Sequence, residues 1–128
     1  MPEHLSPNAA RGWTVVCLCA EWCGTCRDYR RAFERRARER EDAAHVWLDI
    51  EDDSDWLGDM DVETLPTLLV LHEDRPMFFG PVTPHIDLID RTLRALGQHG
   101  PVAEPVPLEH RDAVARIVEQ LRGWPGDE

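Results

Sequence analysis

Four cysteines, Cys17, Cys19, Cys23 and Cys26, fall within ten consecutive residues. A disulfide-stapled secreted scaffold spreads its cysteines along the chain to close long loops. Crowding them into one segment points instead to a redox site or a metal site. A thiol attacks a disulfide only as its thiolate. A helix N-terminus favours that anion through unpaired N–H groups and the positive end of the helix dipole. The run Trp22-Cys23-Gly24-Thr25-Cys26 predicts Cys23 at such a helix start, with Cys26 one turn later on the same face. Cys23 would then form a mixed disulfide, and Cys26 would resolve it by attack from behind.

The other two cysteines lie on a predicted strand, where alternation puts Cys17 and Cys19 on one face. Core filling is the plain expectation for them, because free cysteine is among the most buried residue types. The sharper one makes Cys19, nearest the active-site turn, an auxiliary thiol. Read together, the four cysteines could also ligate zinc or an iron–sulfur cluster. A strand pair aimed at the core and a pair at a helix start need not converge tetrahedrally, so no metal is expected. The six histidines show no ligand spacing on one element and are expected at the surface or as caps. Asp49, Glu51, Asp52, Asp53 and Asp55 lack the ordered alternation and glycine of a calcium loop. They are expected to form a solvated acidic loop.

The elements that must hold the cysteines follow from hydrophobic periodicity. Residues Met1 to Gly12 read as a loose lead-in, and Trp13 to Ala20, short and apolar, as a buried strand. A helix is predicted from about Cys23 to Arg40, with Tyr29, Ala32, Phe33 and Ala37 on one narrow apolar face and arginines around the rest. Those arginines read as a solvated face neutralised by the acidic segment. A second strand follows at His45 to Ile50, then the acidic stretch Glu51 to Glu63 with a short helix anchored by Trp56, Leu57 and Met60. Thr67 to His72 and Met77 to Gly80 read as a hairpin joined by the turn residues Glu73 to Pro76. Thr83-Pro84 predicts a helix N-cap and first turn, with Ile86, Ile89, Leu93 and Leu96 buried and Gly97 ending the helix. The proline- and glycine-rich stretch 98–107 reads as a linker. A last amphipathic helix covers about Leu108 to Gly123, with Val114, Ile117, Val118 and Leu121 on one side. That stripe must cover something: the domain itself, a dimer partner or a client.

Composition narrows the function further. The chain has 128 residues, 42% of them hydrophobic, which suits one domain with a core and a short appendage. The net charge of -11 argues against nucleic acid as a partner, since phosphate contacts need clustered cations. All 14 cations are arginine, so no lysine can serve as a catalytic or Schiff-base residue. No run approaches the roughly 20 apolar residues that span a bilayer. The first eleven residues lack an apolar core of the secretory kind, which leads to a cytoplasmic expectation.

Two segments resemble the thioredoxin family: Ala20-Glu21-Trp22-Cys23-Gly24-Thr25-Cys26 after a buried strand, and Leu65-Pro66-Thr67 before the third strand. The resemblance covers roughly Trp13 to Leu96. It implies that Pro66 is cis and packs against the cysteine pair, and that Leu65 pairs backbone-to-backbone with the substrate. Gly80 matches a glycine that lines the substrate groove; Trp22, Gly24 and Thr25 would shape the same groove. There are departures. The family's first strand and helix look truncated, and Gly24-Thr25 stands where thioredoxins proper carry Gly-Pro. The family's buried acid, which helps deprotonate the resolving cysteine, falls at Cys17, and its lysine neighbour falls at Trp47. Cys26 then needs another proton acceptor, water or Glu21.

The expected fold is thus a thioredoxin-like three-layer α/β/α sandwich with a mixed sheet, a shortened N-terminus and an additional C-terminal helix. Residues 1–97 would form the domain, 98–107 the linker, and 108–128 the C-terminal helix and tail. The expected function is thiol–disulfide exchange by Cys23 and Cys26, with Cys19, Cys17 and Glu21 as possible auxiliaries. Its substrate would be a disulfide-containing protein or a small thiol compound. No bound cofactor is implied, and electrons would come from a donor such as a reductase or a low-molecular-weight thiol. The alternative is a thioredoxin-fold client-binding or assembly module with little turnover.

Overall fold

A computed structural model describes residues 3–4, 12–39, 43–58, 60, 62 and 64–123. Among these residues five strands form one mixed sheet in the order β1-β3-β2-β4-β5. The central strand β2 (Trp13–Cys19) runs parallel to β3 (Ala43–Asp49) and antiparallel to β4 (Thr67–His72). Parallel pairing needs a crossover, and the helix α1 (Gly24–Glu39) supplies it. β4 turns into β5 (Arg75–Pro81) through Glu73 and Asp74, both at positive φ. Two positive-φ residues are what a two-residue hairpin turn demands. Pro76 lies on edge strand β5, beside a register irregularity at Val70/Leu71, where its missing N–H is tolerated.

Alternation along β2 sorts its side chains between two faces, and every residue from Thr14 to Cys19 is buried. Val15, Cys17 and Cys19 join Tyr29 and Phe33 of α1 with Ile89, Leu93 and Leu96 of α3 (Asp87–His99). Val16 and Leu18 join Trp56 and Leu57 of the one-turn helix α2 (Ser54–Leu57) with Val114, Ile117 and Val118 of α4 (Arg111–Gly123). Helices therefore cover both faces. A 3-10 turn, Leu108–His110, leads into α4.

The C-terminal stripe is consumed inside the chain: Ile117 is fully buried and Val106, Val114 and Val118 nearly so. Leu121, the fourth residue of the stripe, is half-buried and packs against the same core. The segment read as a linker contributes to this core through Val106 and runs past the sheet edge, where the Val102 N–H donates to the Met77 carbonyl at 3.2 Å. That contact shields part of an otherwise open strand edge.

Several boundaries differ from the sequence expectation. A two-residue strand, β1 (Glu3–His4), pairs antiparallel with β3 inside the stretch read as a loose lead-in. The rest of that lead-in from Met1 to Arg11, the helix end at Arg40, and Asp59, Asp61 and Glu63 of the acidic stretch lie outside the described residues. So does the tail 124–128. Thr83 does not cap α3. Its carbonyl accepts the His85 N–H at 2.8 Å, closing a tight turn that delays the helix to Asp87. Gly97 does not end α3 either. It lies within the helix, where a Cβ would sit 3.9 Å from Trp13 Cζ2, an ordinary van der Waals distance. The stop is Gly100, at φ +80°, whose N–H donates to the Leu96 carbonyl at 2.8 Å.

One polar expectation also changes. His45 is not at the surface: it is fully buried on β3, its Nδ1 3.1 Å from the Ala43 carbonyl and its ring edge-on to Phe33. An interior strand places alternate residues under a helix whatever their polarity. Among the described residues, two arginines of α1 pair with carboxylates of their own helix or of α3. Arg30 meets Glu34 at 3.1 Å, and Arg36 meets Glu39 at 3.2 Å and Asp90 of α3 at 3.5 Å.

Candidate active site

The turn between β2 and α1 carries the site. The Cys23 N–H donates to the Ala20 carbonyl at 3.1 Å, and the Cys23 carbonyl accepts the Arg27 N–H at 3.0 Å. Cys23 is therefore the N-cap residue of α1, with its carbonyl making the first helical bond. Its thiol is free and half-buried at the edge of the α1-side core. A helix start favours negative charge there. Trp22 is 60% exposed beside it, and Gly24 and Thr25 are exposed as well.

Cys26 is fully buried and is joined by a disulfide to Cys19, not to Cys23. The two Cα atoms lie 5.8 Å apart, within the usual range for a bridge. The Ala20 N–H donates to Cys26 Sγ at 3.4 Å. The pairing arises because Cys19 ends β2 facing α1, while Cys26 sits one turn into α1 facing the sheet. Cys17 remains a free, fully buried thiol, and burial pushes its ionisation well above the ordinary thiol value. A thiol held protonated in this way does not serve as a proton acceptor near neutrality.

In the second motif the structure bears on one expectation, the geometry of the peptide before Pro66. The Leu65–Pro66 peptide is cis. Leu65, like Cys23, packs against the α1-side core, and Pro66 is buried. The Pro66 carbonyl accepts the Val82 N–H at 3.0 Å, and Thr67 Oγ1 donates to the Thr64 carbonyl at 2.6 Å. Gly80 lies opposite Leu68 on β5, two residues before Val82. A cavity of about 370 Å³ opens on the other side of this loop, lined by Thr64, Thr67, Phe79, Pro81 and His110 among others. None of the four cysteines lines it.

Glu21 is exposed, and its carboxylate reaches Arg30 Nη1 at 3.8 Å at the surface, whereas Cys26 is enclosed. What the sequence did not single out is the anchor of the turn, Asp49 at the end of β3. Asp49 is 7% exposed, and its carboxylate accepts the Glu21 N–H at 2.8 Å, the Glu51 N–H at 2.8 Å and the Asp52 N–H at 3.0 Å. One side chain thus ties the loop after β3 to the turn that presents Cys23. Asp53 is buried too, and its carboxylate accepts the Asp49 N–H at 2.8 Å. These two acids are not part of a solvated loop. The only available sequence signal was position: Asp49 is the first acid after the apolar run of β3. Among the described residues no group of histidine, cysteine and acidic side chains is arranged to hold a metal ion. Among them, too, no helix is long and apolar enough to cross a membrane.

A mixed sheet with helices on both faces, a cysteine turn opening a helix and a facing cis-proline loop together define a thioredoxin-like α/β protein. The family model described as Thioredoxin matches residues 7–82. The thioredoxin of Mycoplasma genitalium is 30% identical over 86 residues, covering 64% of this chain and 84% of that protein. Among solved structures, Fasciola hepatica thioredoxin superposes with a TM-score of 0.59 at 20% identity, covering 69% of this chain and 83% of that one. The long form of spinach chloroplast thioredoxin f gives a TM-score of 0.56 at 18% identity, covering 71% and 72%. The chain belongs to the thioredoxin family, and membership implies thiol–disulfide oxidoreductase activity at the level of the family.

Proposed function

We propose that this protein reduces disulfides of proteins or small molecules, with Cys23 as the attacking thiol and Cys26 as the resolving one. The observation that carries the reading is the free, half-buried Cys23 at the start of α1, next in the chain to the exposed Trp22. The Cys23 thiolate attacks one sulfur of the substrate and expels the other as a thiolate. Cys26 then attacks the Cys23 sulfur, the second substrate thiolate leaves, and two electrons have passed to the substrate. Leu65 and Pro66 hold the incoming chain near the sulfurs, and Trp22, Gly24, Thr25 and Gly80 border the groove.

An external donor must restore the thiols. A ferredoxin:thioredoxin reductase bound to thioredoxin f2 is among the structurally similar complexes, which supports an enzymatic donor here too. Cysteines crowded into one segment, rather than spread as staples, support a reducing compartment such as the cytoplasm.

Insulin reduction by the wild type and by Cys23→Ser tests the reading. Turnover by the wild type alone is the expected result, and turnover that survives the substitution removes Cys23 from the mechanism. One observation favours the second reading, a client-binding module: Cys26 already has a buried partner in Cys19. Absence of turnover in both proteins would select that module.

A further inference from the structure

Cys26 stands between two possible partners. Helical spacing puts it one turn from Cys23 on the same face, and the structure bonds it to Cys19. The Ala20 backbone binds both sides of this arrangement, receiving the Cys23 N–H on its carbonyl and donating its own N–H to Cys26 Sγ. Cys19 and Cys26 are both fully buried, whereas Cys23 is not.

We infer that Cys19 is a second resolving thiol, which takes the disulfide from Cys23–Cys26 into the buried Cys19–Cys26 pair and returns Cys23 as a free thiolate. The inference rests on the exchange chemistry proposed above. After Cys26 has resolved the mixed disulfide, the Cys19 thiolate attacks the Cys26 sulfur. The Cys19–Cys26 bond forms, the Cys23–Cys26 bond breaks, and the electron pair leaves on Cys23. The two electrons given to substrate therefore come from Cys19 and Cys26, and Cys23 ends as it began. Resetting runs backwards: Cys23 attacks Cys26, releases Cys19, and an external dithiol then reduces the Cys23–Cys26 bond by attack at Cys23, the more accessible sulfur.

The direction follows from where negative charge is best held. When three sulfurs share one disulfide, exchange settles with the best thiolate left free, because the leaving sulfur must carry the charge. A helix start stabilises an anion, while an apolar interior penalises one. Cys23 has the first environment and Cys19 the second. The oxidised protein consequently keeps its half-buried nucleophile free and stores the oxidation out of reach of solvent.

The test is peptide mapping of the wild type. Fully reduced protein receives one equivalent of hydroxyethyl disulfide, is quenched with acid, then unfolded and alkylated with iodoacetamide, and is digested without reductant. Cleavage after Glu21 separates Cys17 and Cys19 from Cys23 and Cys26, and the expected result is that these two peptides are linked, with fragmentation placing the label on Cys17 and Cys23 and none on Cys19 and Cys26. A Cys23–Cys26 link with Cys19 labelled overturns the relay and leaves the proposed function standing. No disulfide formed at all, together with no insulin turnover, overturns the proposed function itself. Cys19→Ala supplies a second arm. After the same oxidation it should lose the Cys23 label that the wild type keeps; retention of that label also overturns the relay.

Discussion

Asp49 offers the sharpest perturbation of the turn that presents Cys23. Asp49→Ala removes three charge-assisted bonds to backbone N–H groups, at 2.8, 2.8 and 3.0 Å. Each is worth about 1.5–3 kcal/mol when one partner is charged. Glu21, Glu51 and Asp52 are exposed, so water replaces part of what their amides lose. A net cost of roughly 2–4 kcal/mol remains. Asp49→Asn is more selective. Its single acceptor oxygen can keep the Glu51 and Asp52 bonds while its NH2 faces the Glu21 N–H, at a cost of about one such bond, ~2 kcal/mol. With a urea slope near 2 kcal/mol per molar, the midpoint should fall by about 1 M for Asn and by about 1–2 M for Ala. Insulin reduction by the Asn variant should fall as well, because the lost bond is the one nearest Cys23. Both variants within ~0.5 kcal/mol of wild type, the range of ordinary surface substitutions, would refute the anchor.

Three further outcomes are expected. Ile117→Ala should cost about 2–5 kcal/mol in chemical denaturation, because Ile117 is fully buried between α4 and the sheet; a loss under about 1 kcal/mol would mean that α4 does not pack there. Tyr29→Phe should be at least as stable as wild type, since the buried hydroxyl has no hydrogen-bond partner among the described residues and burial drives its ionisation upward; a loss above about 1 kcal/mol would reveal one. Burial holds the Asp53 carboxyl above its ordinary range, partly offset by the hydrogen bond from the Asp49 N–H. The folded state therefore binds that proton more tightly than the unfolded one, and stability falls as pH rises from the unfolded carboxyl value through the raised one. Asp53→Asn should flatten this acidic limb in a stability–pH series and match or exceed wild type near about pH 7; a limb left unchanged would refute the assignment.

The sequence made the cysteine turn and the cis-proline motif legible because their cues are local. A buried strand, a cysteine that opens a helix, and Leu65-Pro66-Thr67 ahead of another strand each announce themselves over a few residues. Which sulfur partners Cys26 was not legible in the same way. It depends on how the end of β2 and the first turn of α1 face each other across the core, and a spacing of seven residues does not encode that. Asp49 was hidden among five acids of the same loop, since only the fold turns one of them toward Glu21. Gly97 and Gly100 carry equal stop signals, and only Gly100 takes a positive φ, a choice that the local sequence does not encode. The apolar stripe of α4 was plain, but its partner was set by a sheet face that no local pattern identifies.

Competitive alkylation of the fully reduced protein, with iodoacetamide limiting and the labelled site mapped by mass spectrometry, tests the central claim most directly. Label should collect on Cys23 ahead of Cys19 and Cys26, with Cys17 reacting only once the chain is unfolded. Equal labelling of Cys23 and Cys17 in the folded protein, or first labelling at Cys19, would contradict an account that makes the helix-start sulfur the nucleophile.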